Sequence, residues 1–128
     1  MNLLLDTHIL LWAAAGELPQ SAAMYIEDVN NTLFFSPASI WEVVIKNGLG
    51  RRDFVVDPPS LYKGLIGAGY VELEITGQHT LLIASLSTLH KDPFDRLLLA
   101  QSVYEGIPLL TADDIISQYP GSIIHIRQ

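Results

Sequence analysis

Short runs of consecutive apolar residues alternate along this chain with longer stretches whose apolar positions recur at helical spacing. Asn2-Leu3-Leu4-Leu5 is the first run, and it stops at a charge, as a strand buried on both faces does. Asp6-Thr7 then caps a helix through Ile9, Leu10, Leu11, Trp12 and Ala13, which Gly16 closes. A second helix is predicted from Pro19 to about Asn30, with Ala22, Ala23, Ile26 and Val29 on one stripe. Thr32–Phe35 reads as the next buried strand. Ser36-Pro37 opens a third helix, carrying Ala38, Ile40, Trp41, Val43, Val44 and Ile45 and ending at Gly48.

Residues 49–58 form the one irregular stretch, basic at its start and acidic at its end. Pro59 to about Gly67 is predicted as a fourth helix, and Tyr70–Ile75 alternates as a half-exposed strand. Thr76 caps a fifth helix with Leu82, Ile83 and Leu86 inward. The sixth begins at Asp92-Pro93, a preferred cap followed by a proline whose missing N–H costs nothing there. Phe94, Leu97, Leu98, Leu99, Ala100, Val103 and Tyr104 spread around this helix, so it is expected to be buried on more than one side. Ile107–Thr111 is a strand, Asp113 caps a short last helix to Tyr119, and Ser122–Ile126 is a final strand. Strands alternating with helices predict an α/β domain in three layers, helix–sheet–helix, with a mostly parallel central sheet. No repeat or linker interrupts residues 1–128, which read as one domain.

Composition narrows the chemistry. Nearly half the residues are hydrophobic and 16% are charged, as in a globular chain. Cysteine is absent, which removes disulfides, thiolate zinc sites and cysteine nucleophiles together. The opening lacks a basic stretch before its apolar run, so no secretory signal is expected, and no segment approaches a membrane span. A formal net charge of −7 argues against a broad, sequence-independent nucleic-acid clamp. Phosphate-cradling glycine loops and a strained Gly-x-Ser-x-Gly turn are both missing. His8, His79, His90 and His125 show no metal-ligand spacing and read as structural or surface residues.

Four acids occupy places where composition alone would not put them. Asp6 follows the first strand and Asp113 the strand ending at Thr111, and ligands of parallel sheets bind beyond the carboxyl ends of strands. Glu42 and Asp95 lie in the first halves of helices that follow apolar segments, so all four point to one edge of the sheet. Each Asp also has a plain role as helix punctuation. Amid Ile40, Trp41, Val43 and Val44, Glu42 must be neutral, paired with Lys46 one turn on, or bound to a metal. Carboxylates without histidine or cysteine select Mg²⁺ or Mn²⁺, and such a site suits phosphodiester hydrolysis. Clustered acids also occur in phosphate-accepting receiver-like domains, but those want two adjacent early acids and a late lysine, and here Asp6 stands alone and Ala112 follows Thr111.

The chain resembles PIN-domain proteins of the VapC-like group, toxins of type II toxin–antitoxin pairs. The resemblance spans essentially its whole length. It rests on Leu3-Leu4-Leu5-Asp6-Thr7-His8, on Ser36-Pro37-Ala38-Ser39-Ile40-Trp41-Glu42, on His90-Lys91-Asp92-Pro93-Phe94-Asp95-Arg96 with the following Leu-Leu-Leu-Ala-Gln, and on Leu110-Thr111-Ala112-Asp113. It implies a PIN-like fold in which Asp6, Glu42, Asp95 and Asp113 bind Mg²⁺ or Mn²⁺ and carry catalysis. Asp92 competes with Asp95 for the third place but already has a cap role, and Asp114 stands next to Asp113. Thr7 and Thr111 match hydroxyl positions beside the first and fourth acids. The implied activity is metal-dependent endoribonuclease cleavage, in-line attack by activated water leaving a 5′-phosphate and a 3′-hydroxyl. The implied partners are RNA, a cognate antitoxin and a second copy of the chain, in the cytoplasm and away from membranes. Lys46, Arg51, Arg52, Lys91 and Arg96 are the candidates for RNA backbone contacts. The rival expectation is a PIN-fold interaction module that acts by binding alone.

Overall fold

A computed structural model describes residues 1–49, 56–88 and 91–127. Arg51, Arg52 and His90 lie outside the described residues. In chain order the elements are β1 (Asn2–Leu5), α1 (Thr7–Ala15), α2 (Gln20–Ile26), β2 (Thr32–Phe35), α3 (Pro37–Gly48), α4 (Pro58–Gly67), β3 (Val71–Glu72) and α5 (Gly77–Leu82). They continue through α6 (Pro93–Glu105), β4 (Leu109–Thr111) and β5 (Ile123–His125), with single 3-10 turns at Ile83–Ser85 and Ile116–Gln118. The five strands pair in parallel in the order β3-β2-β1-β4-β5. The order reverses between β1 and β4, which makes their carboxyl ends the topological switch point.

The alternation of β1 sorts the core into two faces. Leu3 and Leu5 pack with Phe35, Leu110, Ile9, Leu10, Val43, Leu61 and Leu65, so α1, α3 and α4 cover one side of the sheet. Leu4 points the other way and packs with Leu109, Leu98, Leu99, Ile116 and Tyr119, where α6 forms the cover. This is the expected three-layer arrangement around a parallel sheet. Leu98–Ser102 are buried in succession, as the apolar spread around α6 predicts. Among the described residues, no helix is long and apolar enough to cross a membrane.

Several boundaries differ from the sequence pattern for local reasons. The second helix stops at Ile26, where Glu27 closes it and the Asp28 carboxylate accepts from Asn30 N–H at 2.9 Å, forming a turn. The fourth helix starts one residue early, at Pro58, because Asp57 caps it through Ser60 N–H. β3 keeps only Val71–Glu72 of the expected six-residue strand, since it lies at the sheet edge with β2 as its one neighbour. α5 is short and tightens into the 3-10 turn at Ile83–Ser85, and the expected last helix is likewise a 3-10 turn, with Asp113 as its cap.

Gly106 ends α6 at φ 67°, and a Cβ there would meet nothing within 4 Å. Gly106→Ala therefore isolates backbone strain from packing. It is expected to cost about 1–2 kcal/mol, read as a lowered urea midpoint at constant slope. A neutral result would mean that the end of α6 rearranges without loss.

Candidate functional site

Asp6 sits where β1 gives way to α1, at the switch point. Its backbone N–H still donates to Leu110 O at 3.1 Å, so the β1–β4 ladder carries it to the sheet edge. Its side chain is used twice: Oδ1 accepts from Ile9 N–H at 2.9 Å, capping α1, and Oδ2 accepts from the Thr111 hydroxyl. Thr111 is fully buried at the end of β4, and its Oγ1 accepts in turn from Asp113 N–H at 3.0 Å. One hydroxyl thus ties the first acid to the segment that bears the fourth. Burial pushes the Asp6 carboxyl above the usual aspartate range, against the hydrogen bonds from Thr111 and Ile9, and the nearby Asp113 charge adds to the rise.

Glu42 lies within α3 and is 6% exposed. Lys46 Nζ stands 2.7 Å from its Oε2, the i, i+4 pair anticipated from the sequence. Its Oε1 is buried with no hydrogen-bond partner among the described residues. A buried carboxylate oxygen without a donor is costly, so the lysine answers only half of what Glu42 asks for. The adjacent Trp41 meets Phe94, the neighbour of Asp95, edge-on at 5.1 Å between ring centres, which brings the starts of α3 and α6 together.

At the start of α6, Asp92 accepts from Phe94 N–H at 2.8 Å and Asp95 N–H at 3.3 Å, the cap role assigned to it. Asp95 lies in the first turn, half-buried. Asp113 caps the following 3-10 turn through Ile115 N–H at 2.8 Å and Ile116 N–H at 3.0 Å. Arg96 is engaged with the main chain, donating to Ser87 O at 2.6 Å and Ile83 O at 3.1 Å. Of the lysines and arginines considered for RNA contact, Lys46 is held on Glu42 and Lys91 is exposed.

The three described histidines carry structural duties. His79 is fully buried, accepts from Thr76 N–H through Nδ1 at 3.0 Å, and meets Glu105 through Nε2 at 3.0 Å, fastening α5 to α6. His125 pairs with Asp114 at 3.0 Å, and His8 lies edge-on to Trp12. Sequence reasoning passed over Ser39: it is 1% exposed and accepts from the Thr7 hydroxyl at 2.9 Å. A serine three residues before a buried acid on the same helix face was the available signal.

Asp6 and Asp113 are therefore neighbours, and Glu42 and Asp95 are joined through the residues beside them. Among the described residues, no three Asp, Glu or His side chains already converge as a ligand set. The donor chemistry nonetheless fits a hard divalent cation: carboxylate oxygens, one of them buried and unsatisfied, in a chain without cysteine.

Because the folded state holds the Asp6 proton more tightly than the unfolded chain, this group stabilises most below the ordinary aspartate pKa. That contribution is lost as pH rises through the raised folded value. Asp6→Asn keeps a cap acceptor and removes the charge. It is expected to melt higher than the parent at neutral pH, with the gain shrinking on acidification. A difference in melting temperature that stays constant with pH would contradict a strained Asp6 charge.

The family model described as "PIN domain" matches residues 3–122. A comparison with curated proteins finds no match. Among solved structures, the chain is similar to VapBC2 from Rickettsia felis, bound to a DNA fragment from their promoter, at 17% identity and TM-score 0.75, over 99% of this chain and 100% of that one. VapBC-1 from nontypeable Haemophilus influenzae follows at 18% identity and TM-score 0.67, covering 98% of each chain. A toxin–antitoxin complex from Klebsiella pneumoniae matches at 15% identity and TM-score 0.64, covering 94% of each. At such identities the likeness is one of fold, and it agrees with the three-layer arrangement around the β3-β2-β1-β4-β5 sheet. On the match that runs through all four acid-bearing segments, the chain belongs to the PIN domain family.

Proposed function

We propose that this PIN domain is a metal-dependent endoribonuclease and the toxin of a toxin–antitoxin pair. The observation that carries the reading is Glu42, a buried carboxylate with one oxygen on Lys46 and the other without a donor among the described residues. Membership of a nuclease family and the fold shared with toxin–antitoxin proteins support it.

Asp6, Glu42, Asp95 and Asp113 would hold Mg²⁺ or Mn²⁺. Bound there, the cation supplies activation of water and neutralisation of charge on the phosphate undergoing in-line displacement. Thr111 orients Asp6 and, through the Asp113 N–H, the start of the loop after β4. Lys91, exposed just ahead of α6, offers positive charge to the RNA backbone, and Lys46 is the second candidate, its ammonium lying on Glu42. The acidic chain suits a partner antitoxin with a basic segment, since complementary charge speeds encounter and fixes register. A homodimer belongs to the same reading: Trp41, Val44 and Ile45 on α3, with Leu49 just beyond its end, leave an exposed apolar stripe.

Cleavage of RNA by the purified chain should require Mg²⁺ or Mn²⁺ and disappear in excess EDTA. Asp95→Asn should abolish cleavage and leave melting nearly unchanged. Asp92→Ala should cost about 1 kcal/mol as a lost cap, with activity falling only as folding does. Full activity in EDTA would remove the metal. A folded but inactive Asp92→Ala would move the third acid to Asp92, and a folded chain inert toward RNA with either cation would favour the interaction module.

A further inference from the structure

We infer that Ser39 and Thr7 form a positioning pair that holds Glu42 in register with Asp6 for divalent-cation binding. The inference rests on the metal-dependent reading above and extends it to two residues that touch neither substrate nor cation.

The pair stands between the two acids. Thr7 is bonded in the chain to Asp6, and Ser39 lies three residues before Glu42, on the same face of α3. The Thr7 hydroxyl donates to Ser39 Oγ at 2.9 Å, with Thr7 7% and Ser39 1% exposed. At that depth water does not substitute for a lost partner, so the bond fixes the approach of the two helices rather than fluctuating with solvent. Both ends are rigid. Thr7 is the first residue of α1, whose cap is the Asp6 carboxylate. Ser39 closes the first turn of α3, its N–H on Ser36 O at 3.0 Å and Ser36 Oγ on Ala38 N–H at 3.0 Å.

Neither helix start needs this bond for its own cap. Asp6 caps α1 and Ser36 caps α3, so the Thr7–Ser39 contact is surplus to local helix formation. Its effect is to link two caps that each lie beside a candidate ligand. Mg²⁺ demands near-octahedral oxygen geometry at about 2.0–2.1 Å, which leaves little tolerance for drift between helices. Groups that orient metal ligands from behind typically alter affinity 10–100-fold when removed.

The test uses the full chain and Mn²⁺ alone as probe, read by water-proton relaxation, with thermal melting recorded for every variant. The parent should bind Mn²⁺ and Asp6→Asn should not. Ser39→Ala and Thr7→Val should each weaken Mn²⁺ binding roughly tenfold in protein that remains folded. The double variant should be no weaker than either single one, because the two hydroxyls act as a unit. Thr7→Ser, which keeps the hydroxyl and drops the methyl, should bind as the parent does. Parent affinity in folded Ser39→Ala, or equal loss in Thr7→Ser and Thr7→Val, would overturn the positioning role and leave the metal site standing. A parent that binds no Mn²⁺ would overturn the metal-dependent reading and this inference with it.

Discussion

Everything at the functional edge depends on keeping the Asp6 carboxylate buried at the point where the strand order reverses. Charge is expensive there, and the chain answers with two donors, Ile9 N–H and the Thr111 hydroxyl, without removing the strain that burial imposes. The switch point makes this arrangement possible. β1 and β4 are neighbours in the sheet although 105 residues separate Asp6 from Thr111, so a short parallel ladder brings the first and fourth acids together.

The remaining acids are brought up by contacts that involve their sequence neighbours. Thr7–Ser39 joins α1 to α3, and Trp41–Phe94 joins α3 to α6. Arg96 and Tyr119 both donate to Ser87 O, which ties the start of α6 to the chain beyond Asp113. Asp6 does structural work as well, capping α1 and meeting β4, whereas Glu42 keeps one oxygen without a donor among the described residues.

How far the sequence discloses this varies with the kind of signal. Cap-then-proline starts at Ser36-Pro37 and Asp92-Pro93, and the glycine end at Gly16, are local chemistry and appear where the pattern put them. The parallel sheet follows from alternating short apolar runs and helices. Edge strand β3 was overextended because Tyr70–Ile75 alternates well, but alternation says nothing about how many neighbours a strand will have. The acids were legible as positions at strand and helix ends. The ties between them were not: Arg96 reads in sequence as a free surface cation, and only the fold brings two carbonyls to it. Ser39 offered only its place three residues before Glu42, since its partner lies 32 residues away.

Glu42 shows why the structural and functional readings of one residue need not compete. The Lys46 ammonium answers one oxygen of this buried carboxylate. A buried acceptor left without a donor costs about 1–3 kcal/mol. The salt bridge does not reach the second oxygen, so α3 carries that cost while no cation is bound. Had stability been the only demand, an apolar residue beside Val43 would serve better. Under the proposed function, a cation held at that oxygen would supply the missing partner and stabilise the folded chain by mass action. Lys46 and the cation would then each answer one oxygen of the same carboxylate.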